Sequence, residues 1–141
     1  MNQSMIFAPM FCMFLLTFTV WIYLYARRIP FIQRSNLSPE QLTPVEFERI
    51  APPEVANPSD NFKNLFEIPV LFYALCIYLF VTSEVDITYL IAAWVFVMFR
   101  VAHSAVHCTV NIVILRFWLY ATATAAFLFM AARAGLELLG Y

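Results

Sequence analysis

Four stretches of this chain stay apolar for about 20 residues each, the length an α-helix needs to cross a bilayer's hydrocarbon core. They run from about Met5 to Tyr25, Phe62 to Thr82, Ile87 to Cys108 and Ile114 to Ala134. Inside lipid every backbone amide must find its partner within the protein, so segments of this kind have little choice but to be helices. With 63% hydrophobic and only 12% charged residues over 141 positions, the chain lacks the polar surface a water-soluble domain requires. The expected fold is all-α: a single domain, residues 1–141, forming a four-helix transmembrane bundle.

The longest connection, Ala26 to Asp60, holds six of the eight prolines and reads as an extended loop outside the hydrocarbon. With Lys63 it also carries Arg27, Arg28, Arg34 and Arg49. The other end of the bundle offers Glu84, Asp86 and Glu137 against Arg133. The positive-inside rule therefore places the loop in the cytoplasm and both termini outside. "PSDN" before Phe62 supplies a helix start, with Ser59 or Asp60 as N-cap. The first apolar stretch lacks a basic leader and a small-x-small cleavage site, so it reads as a retained span. A net charge of −1 gives no field for nucleic acid. Cys12, Cys76 and Cys108 are odd in number, without metal spacing, and read as buried soft hydrophobes.

The segment "FRVAHSAVHCTVNIVILRFW", residues 99–118, carries two arginines, two histidines and an asparagine where a simple span would use Leu or Val. At 100° per residue, Arg100, His103, Ser104, His107 and Asn111 fall on one stripe. Lipid would not tolerate that stripe, so it must face the bundle or a wet cavity. Asp86 to Arg100 covers about 21 Å of helix, which puts Arg100 roughly 10 Å inside one boundary of a ~30 Å core. On the second span Asn64 and Glu67 share a face, and Glu67 reaches the same depth. A buried charge left alone is very costly, so a Glu67–Arg100 ion pair is expected. Plainer readings stand beside the functional ones. Arg116 and Arg133 fit boundary arginines that snorkel, Glu67–Arg100 fits a structural bond, and the histidines fit packing. Two histidines alone lack the third ligand of a metal site, so no metal is assigned. A proton or ion path through Glu67, His103 and His107 is a further alternative.

Together, "NFKNLFEIPVLFYAL" on the second span and "RVAHSAVH" followed by Arg116 resemble the MAPEG family, the membrane-associated proteins of eicosanoid and glutathione metabolism. "ARR" and "EFERI" echo the same family, and the motifs are most similar to its microsomal prostaglandin E synthase and glutathione transferase branches, in a bacterial-type member. The resemblance covers nearly the whole chain. It implies a homotrimer, an inner or plasma membrane location, and glutathione bound between subunits near the cytoplasmic face. Carried over by position, it implies that Asn64, Glu67, Arg100, His103, His107 and Arg28 (or Arg27) bind glutathione, and that Arg116 stabilises its thiolate. Two positions depart from the family pattern. Asp60 stands where glutathione-using members carry an arginine, and His107 where they commonly carry a tyrosine. An anion in place of a cation should weaken binding of a doubly carboxylated tripeptide.

The function expected on this basis is a glutathione-dependent transferase or peroxidase for lipophilic electrophiles. The alternative is a non-catalytic trimer that binds or presents lipids. The charge asymmetry makes a direct prediction about sidedness. Single cysteines at Ser38 and Ser83, in a variant lacking the native three, should react with an impermeant maleimide from opposite sides of the membrane. Labelling of both from one side would overturn the assigned orientation.

Overall fold

The computed structural model describes residues 2–140. A 3₁₀ turn over Gln3–Ile6 leads into α1 (Phe7–Ser35). A second 3₁₀ turn, Pro39–Leu42, precedes α2 (Pro44–Ile50), α3 (Pro53–Asn64), α4 (Ile68–Thr82), α5 (Ile87–Cys108) and α6 (Val113–Leu138). Among the described residues, four units are long and apolar enough to span a membrane: α1 with its leading turn, α3 with α4, α5, and α6. The molecule is an all-α four-helix transmembrane bundle.

Aromatic packing holds its centre. Phe72 of α4 stacks on Phe96 of α5 with ring centroids 4.3 Å apart, and Phe96 meets Phe127 of α6 at 6.4 Å. Phe14 of α1 approaches Tyr73 of α4 edge-on at 4.9 Å. Met13, Phe72, Cys76, Leu79, Tyr89 and Ala93 are fully buried around this ladder. Such offset pairs add about 0.5–1.5 kcal/mol to the area they bury. The outer surface is equally apolar: Leu15, Phe18, Val81, Met98, Ile114 and Trp118 are all well exposed. A water-soluble monomer rarely displays continuous apolar surface on this scale, and here it is the face presented to lipid.

Each helix end has a local cause. Ser83 adopts the left-handed conformation (φ 60°) beyond α4, and the Glu84 N–H reaches the Leu79 carbonyl at 3.0 Å. That six-to-one bond closes a Schellman-type stop. Asn111 is also left-handed (φ 49°), its N–H bonded to the Val106 carbonyl at 2.8 Å. Asparagine tolerates that conformation better than most residues, so the chain reverses between α5 and α6 with no glycine.

The region from Ala26 to Asp60 is largely helical rather than extended. α1 continues through Pro30 to Ser35 because Phe31 packs against Phe47 of α2, with centroids 5.9 Å apart, and Arg28 stacks over the same ring at 4.3 Å. Neither Ser59 nor Asp60 caps a helix: α3 already begins at Pro53 and runs through Pro58. Val55, Pro58 and Asn61 lie on its buried face, packed toward α1 and α5. Tertiary packing there offsets the backbone hydrogen bond that Pro58 cannot make.

At the end of the bundle that holds the termini, Arg133 is held by side-chain partners. Its two terminal nitrogens donate to Asp86 at 2.9 and 2.6 Å, its Nε meets Glu137 at 2.9 Å, and its guanidinium lies 4.3 Å from the Tyr89 ring centre. Tyr89 in turn donates to Glu137 at 2.6 Å. Asp86 is also the N-cap of α5, accepting from the Tyr89 N–H at 2.9 Å. The Arg133 hydrogen bond, chiefly, holds the Asp86 carboxyl below its ordinary range. A depressed folded-state pKa means stability that is complete above the unfolded value, about 3.9, and lost as the pH falls through the folded value. Thermal unfolding of the detergent-solubilised protein should therefore show an acid-side decline to which Asp86 contributes. Asp86→Asn keeps the cap but removes the charge, so it should lower stability at pH 7 and flatten that decline. An unchanged acid profile would remove Asp86 from the account.

Candidate functional site

Among the described residues, five polar or charged side chains are almost wholly buried: Asn61, Arg100, His103, Ser104 and His107. Four come from one face of α5, and Asn61 of α3 lies against them. Arg100, at 0% exposure, is the most demanding, because a desolvated guanidinium needs acceptors close by. It donates through Nη2 to the Asn64 carbonyl and stacks over Tyr120 of α6, with Cζ 5.2 Å from the ring centre.

The acceptor exists because a helix breaks. In an unbroken helix the Asn64 carbonyl would take the Ile68 N–H. Pro69 stands in the first turn of α4, where its ring disfavours a continuous helix through the preceding turn. α3 therefore stops at Asn64, and the chain turns through residues 65–67 before α4 begins. The same break corrects the expected ion pair. Asn64 and Glu67 no longer lie on one helix, Glu67 is exposed, and among the described residues the ion pairs do not include Glu67 with Arg100.

His103 is fixed by α6: its Nδ1 lies 3.1 Å from the Arg116 carbonyl. A carbonyl can only accept, which assigns the proton to Nδ1. The His103 ring stands edge-on to His107 (centroids 5.5 Å) and near Tyr120 (5.7 Å). Arg116 donates through Nη1 to the Asn111 side chain, and Asn111 donates to Asn57 at 2.9 Å. Asn111 thus sits beyond α5, in the turn, rather than on the helical stripe. Beneath them Ser104 donates to Asn61 at 3.3 Å, and Asn61 donates to the Cys108 sulfur at 3.4 Å.

A pocket of about 260 Å³ opens among these groups, lined by Asn64, His103, Val113, Arg116, Phe117 and Tyr120. His103 Nε2 and Arg116 Nε, of the pocket's lining, and Arg100 Nε and Nη1 and His107 Nδ1, of side chains behind that lining, are buried with no hydrogen-bond partner among the described residues. Each buried group left unsatisfied costs about 1–3 kcal/mol, more if charged. Their concentration at one place calls for a polar partner from elsewhere.

Of the residues singled out in the sequence, Asn64, Arg100, His103, His107 and Arg116 are brought together. Glu67 is turned outward, and Arg28 is held on Phe47 of α2. Tyr120, Asn61 and Asn57 join the site although nothing in the motif spacing points to them. Asp60 lies one helical turn before Asn64 and pairs with Lys63 at 3.4 Å, and Lys63 also binds Glu48 of α2.

A helical bundle with a cationic and histidine-bearing cluster buried near one end defines an integral, multi-pass membrane protein whose polar site lies within its spans. The chain belongs to the MAPEG family, whose family model matches residues 6–136. That membership ties it to glutathione or eicosanoid metabolism. Comparison with curated proteins and with solved structures gave no match.

The break at Leu65 to Glu67 generates a prediction. Glu67→Gln should change stability by no more than about 0.5 kcal/mol, as surface substitutions do. Arg100→Met should alter it far more, and the double variant should be additive within about 0.3–0.5 kcal/mol. A larger coupling in denaturant titrations of the purified protein would restore a Glu67–Arg100 interaction.

Proposed function

We propose that this protein is a glutathione-dependent membrane transferase or peroxidase acting on lipophilic electrophiles, assembled as a homotrimer with the 26–60 connection on the cytoplasmic side. The observation that carries this reading is the set of unpartnered cationic and imidazole nitrogens around the Arg116 pocket, in a chain of the MAPEG family. Guanidinium groups present planar forks that match carboxylates, and glutathione brings two carboxylates and a thiol. The pocket fits such a guest incompletely: about 260 Å³ lies below the ~300–1,000 Å³ of ordinary small-molecule sites. A wall supplied by a neighbouring protomer would complete it.

In this reading Asn64, Arg100, His103 and His107 orient the tripeptide. Arg116 stands beside the sulfur, with its Nη1 engaged by Asn111 and its Nε free to donate. A cation at that position lowers a thiol pKa from about 8.5 toward neutrality. The thiolate lone pair then forms the new bond to an electrophilic carbon or a peroxide oxygen, and the displaced group leaves with the bonding electrons. The apolar acceptor arrives laterally from the bilayer.

The test is the absorbance of the bound thiolate, followed across pH with glutathione present. Arg116→Ala should move its onset up by about 1–2 pH units and cut turnover much more than it weakens thiol binding. Arg116→Lys should recover part of the loss. A thiolate signal unchanged in Arg116→Ala would defeat the role given to Arg116. Asp60, an anion one turn from Asn64, favours the second reading, a non-catalytic lipid-presenting trimer. Failure of glutathione to bind either the parent or Asp60→Arg would select it.

A further inference from the structure

A second cleft lies on a different face of α5 from the Arg116 pocket. Its apolar part, about 300 Å³, runs between α1 and α5 past Leu16, Val20, Val101 and Ala105. Its polar part, about 360 Å³, is lined by Arg27, Pro53, Glu54 and Asn57. Tyr23, Cys108 and Thr109 line both, so the two parts meet. From Arg27 to Leu16 the cleft follows α1 for about 16 Å, close to half of a ~30 Å hydrocarbon core.

Charge at the polar mouth narrows the class of occupant. Arg27 and Glu54 face the same cavity, and among the described residues neither belongs to an ion pair. A purely anionic headgroup would meet the Glu54 carboxylate, and a purely cationic one would meet Arg27. A zwitterion satisfies both. A quaternary ammonium would want an open aromatic face, but the Tyr23 ring already carries the Arg27 guanidinium, 5.1 Å from its centre. A primary ammonium can instead donate hydrogen bonds to Glu54 directly.

We propose that this cleft binds one phospholipid of the phosphatidylethanolamine class, with its phosphate on Arg27, its ammonium on Glu54 and one acyl chain in the groove between α1 and α5. Neither Arg27 nor Glu54 lines the Arg116 pocket, so the assignment does not rest on glutathione binding there.

The experiment is native mass spectrometry of the purified, delipidated full chain offered equal amounts of palmitoyl-oleoyl phosphatidylethanolamine, phosphatidylglycerol and phosphatidylcholine. Phosphatidylethanolamine should be retained about fivefold over phosphatidylglycerol, the factor expected for one charge contact near the surface. Glu54→Lys, a substitution at an exposed site, should shift retention toward phosphatidylglycerol. Ala105→Trp should abolish retention of all three while circular dichroism shows the helices intact. Equal retention of the three lipids, or a Glu54→Lys variant with unaltered preference, would overturn the proposal. So would an Ala105→Trp variant that keeps its lipid and changes oligomeric state instead, because a second copy of the chain would then cover the groove.

Discussion

A guanidinium shut away from water at Arg100 sets the terms for the loop-side half of this bundle. Moving such a charge out of water costs several kcal/mol even after relaxation, and Arg100 has no exposure with which to escape it. The chain meets part of that cost with a backbone carbonyl rather than a carboxylate. The α3–α4 break turns the Asn64 carbonyl toward Arg100, and α6 supplies the face of Tyr120. Both contacts need long-range geometry: α3, α5 and α6 must all be docked before Arg100 is accommodated. The charge therefore acts as a condition on how these helices assemble as well as a feature of the site.

The two ends of the bundle handle their arginines differently. At the terminal end, Arg133, Asp86, Glu137 and Tyr89 form a set in which cation and anions answer one another, and one oxygen of the neighbouring Glu84 is buried without a partner among the described residues. Gln3 ties the N-terminal segment to the same end through two bonds to the Val85 backbone, at 2.8 and 3.2 Å. At the loop end, Arg100 and Arg116 bring donors with too few acceptors, and His103 Nε2 and His107 Nδ1 are buried without partners among the described residues. Satisfied buried networks rigidify a fold, and unsatisfied ones point to something missing. The contrast within one small protein is why the functional reading attaches to the loop end.

Two cavities at that end are joined by side chains. Asn57 lines the polar mouth of the α1–α5 cleft, Asn111 donates to it, and Arg116 donates to Asn111. Arg116 also lines the other pocket. Whatever occupies the cleft therefore lies two hydrogen bonds from the arginine assigned to the thiolate. Asn111 holds this position from the turn beyond α5, where its backbone is left-handed.

Helix number, membrane residence and family were all legible in the residues themselves. Apolar length and the rarity of charge leave few physical alternatives inside lipid. The stripe of Arg100, His103, Ser104 and His107 was legible for the same reason, since helical period is a local property and these four do share a buried face. Local rules failed wherever two segments had to meet. Pro69 can be read from the sequence, but that its break would hand Arg100 the Asn64 carbonyl and turn Glu67 outward depends on how α3, α4 and α5 dock. The helical course from Ala26 to Asp60 depends on Phe47 folding back onto α1. The Arg133 network depends on residues far apart in the chain coming within hydrogen-bonding reach. Tyr120 and Asn61 enter the site only because α6 and α3 lie against α5. Hydrophobic length and periodicity act residue by residue along the chain and can be read there, whereas partners for buried charge are chosen by the packing of helices in three dimensions.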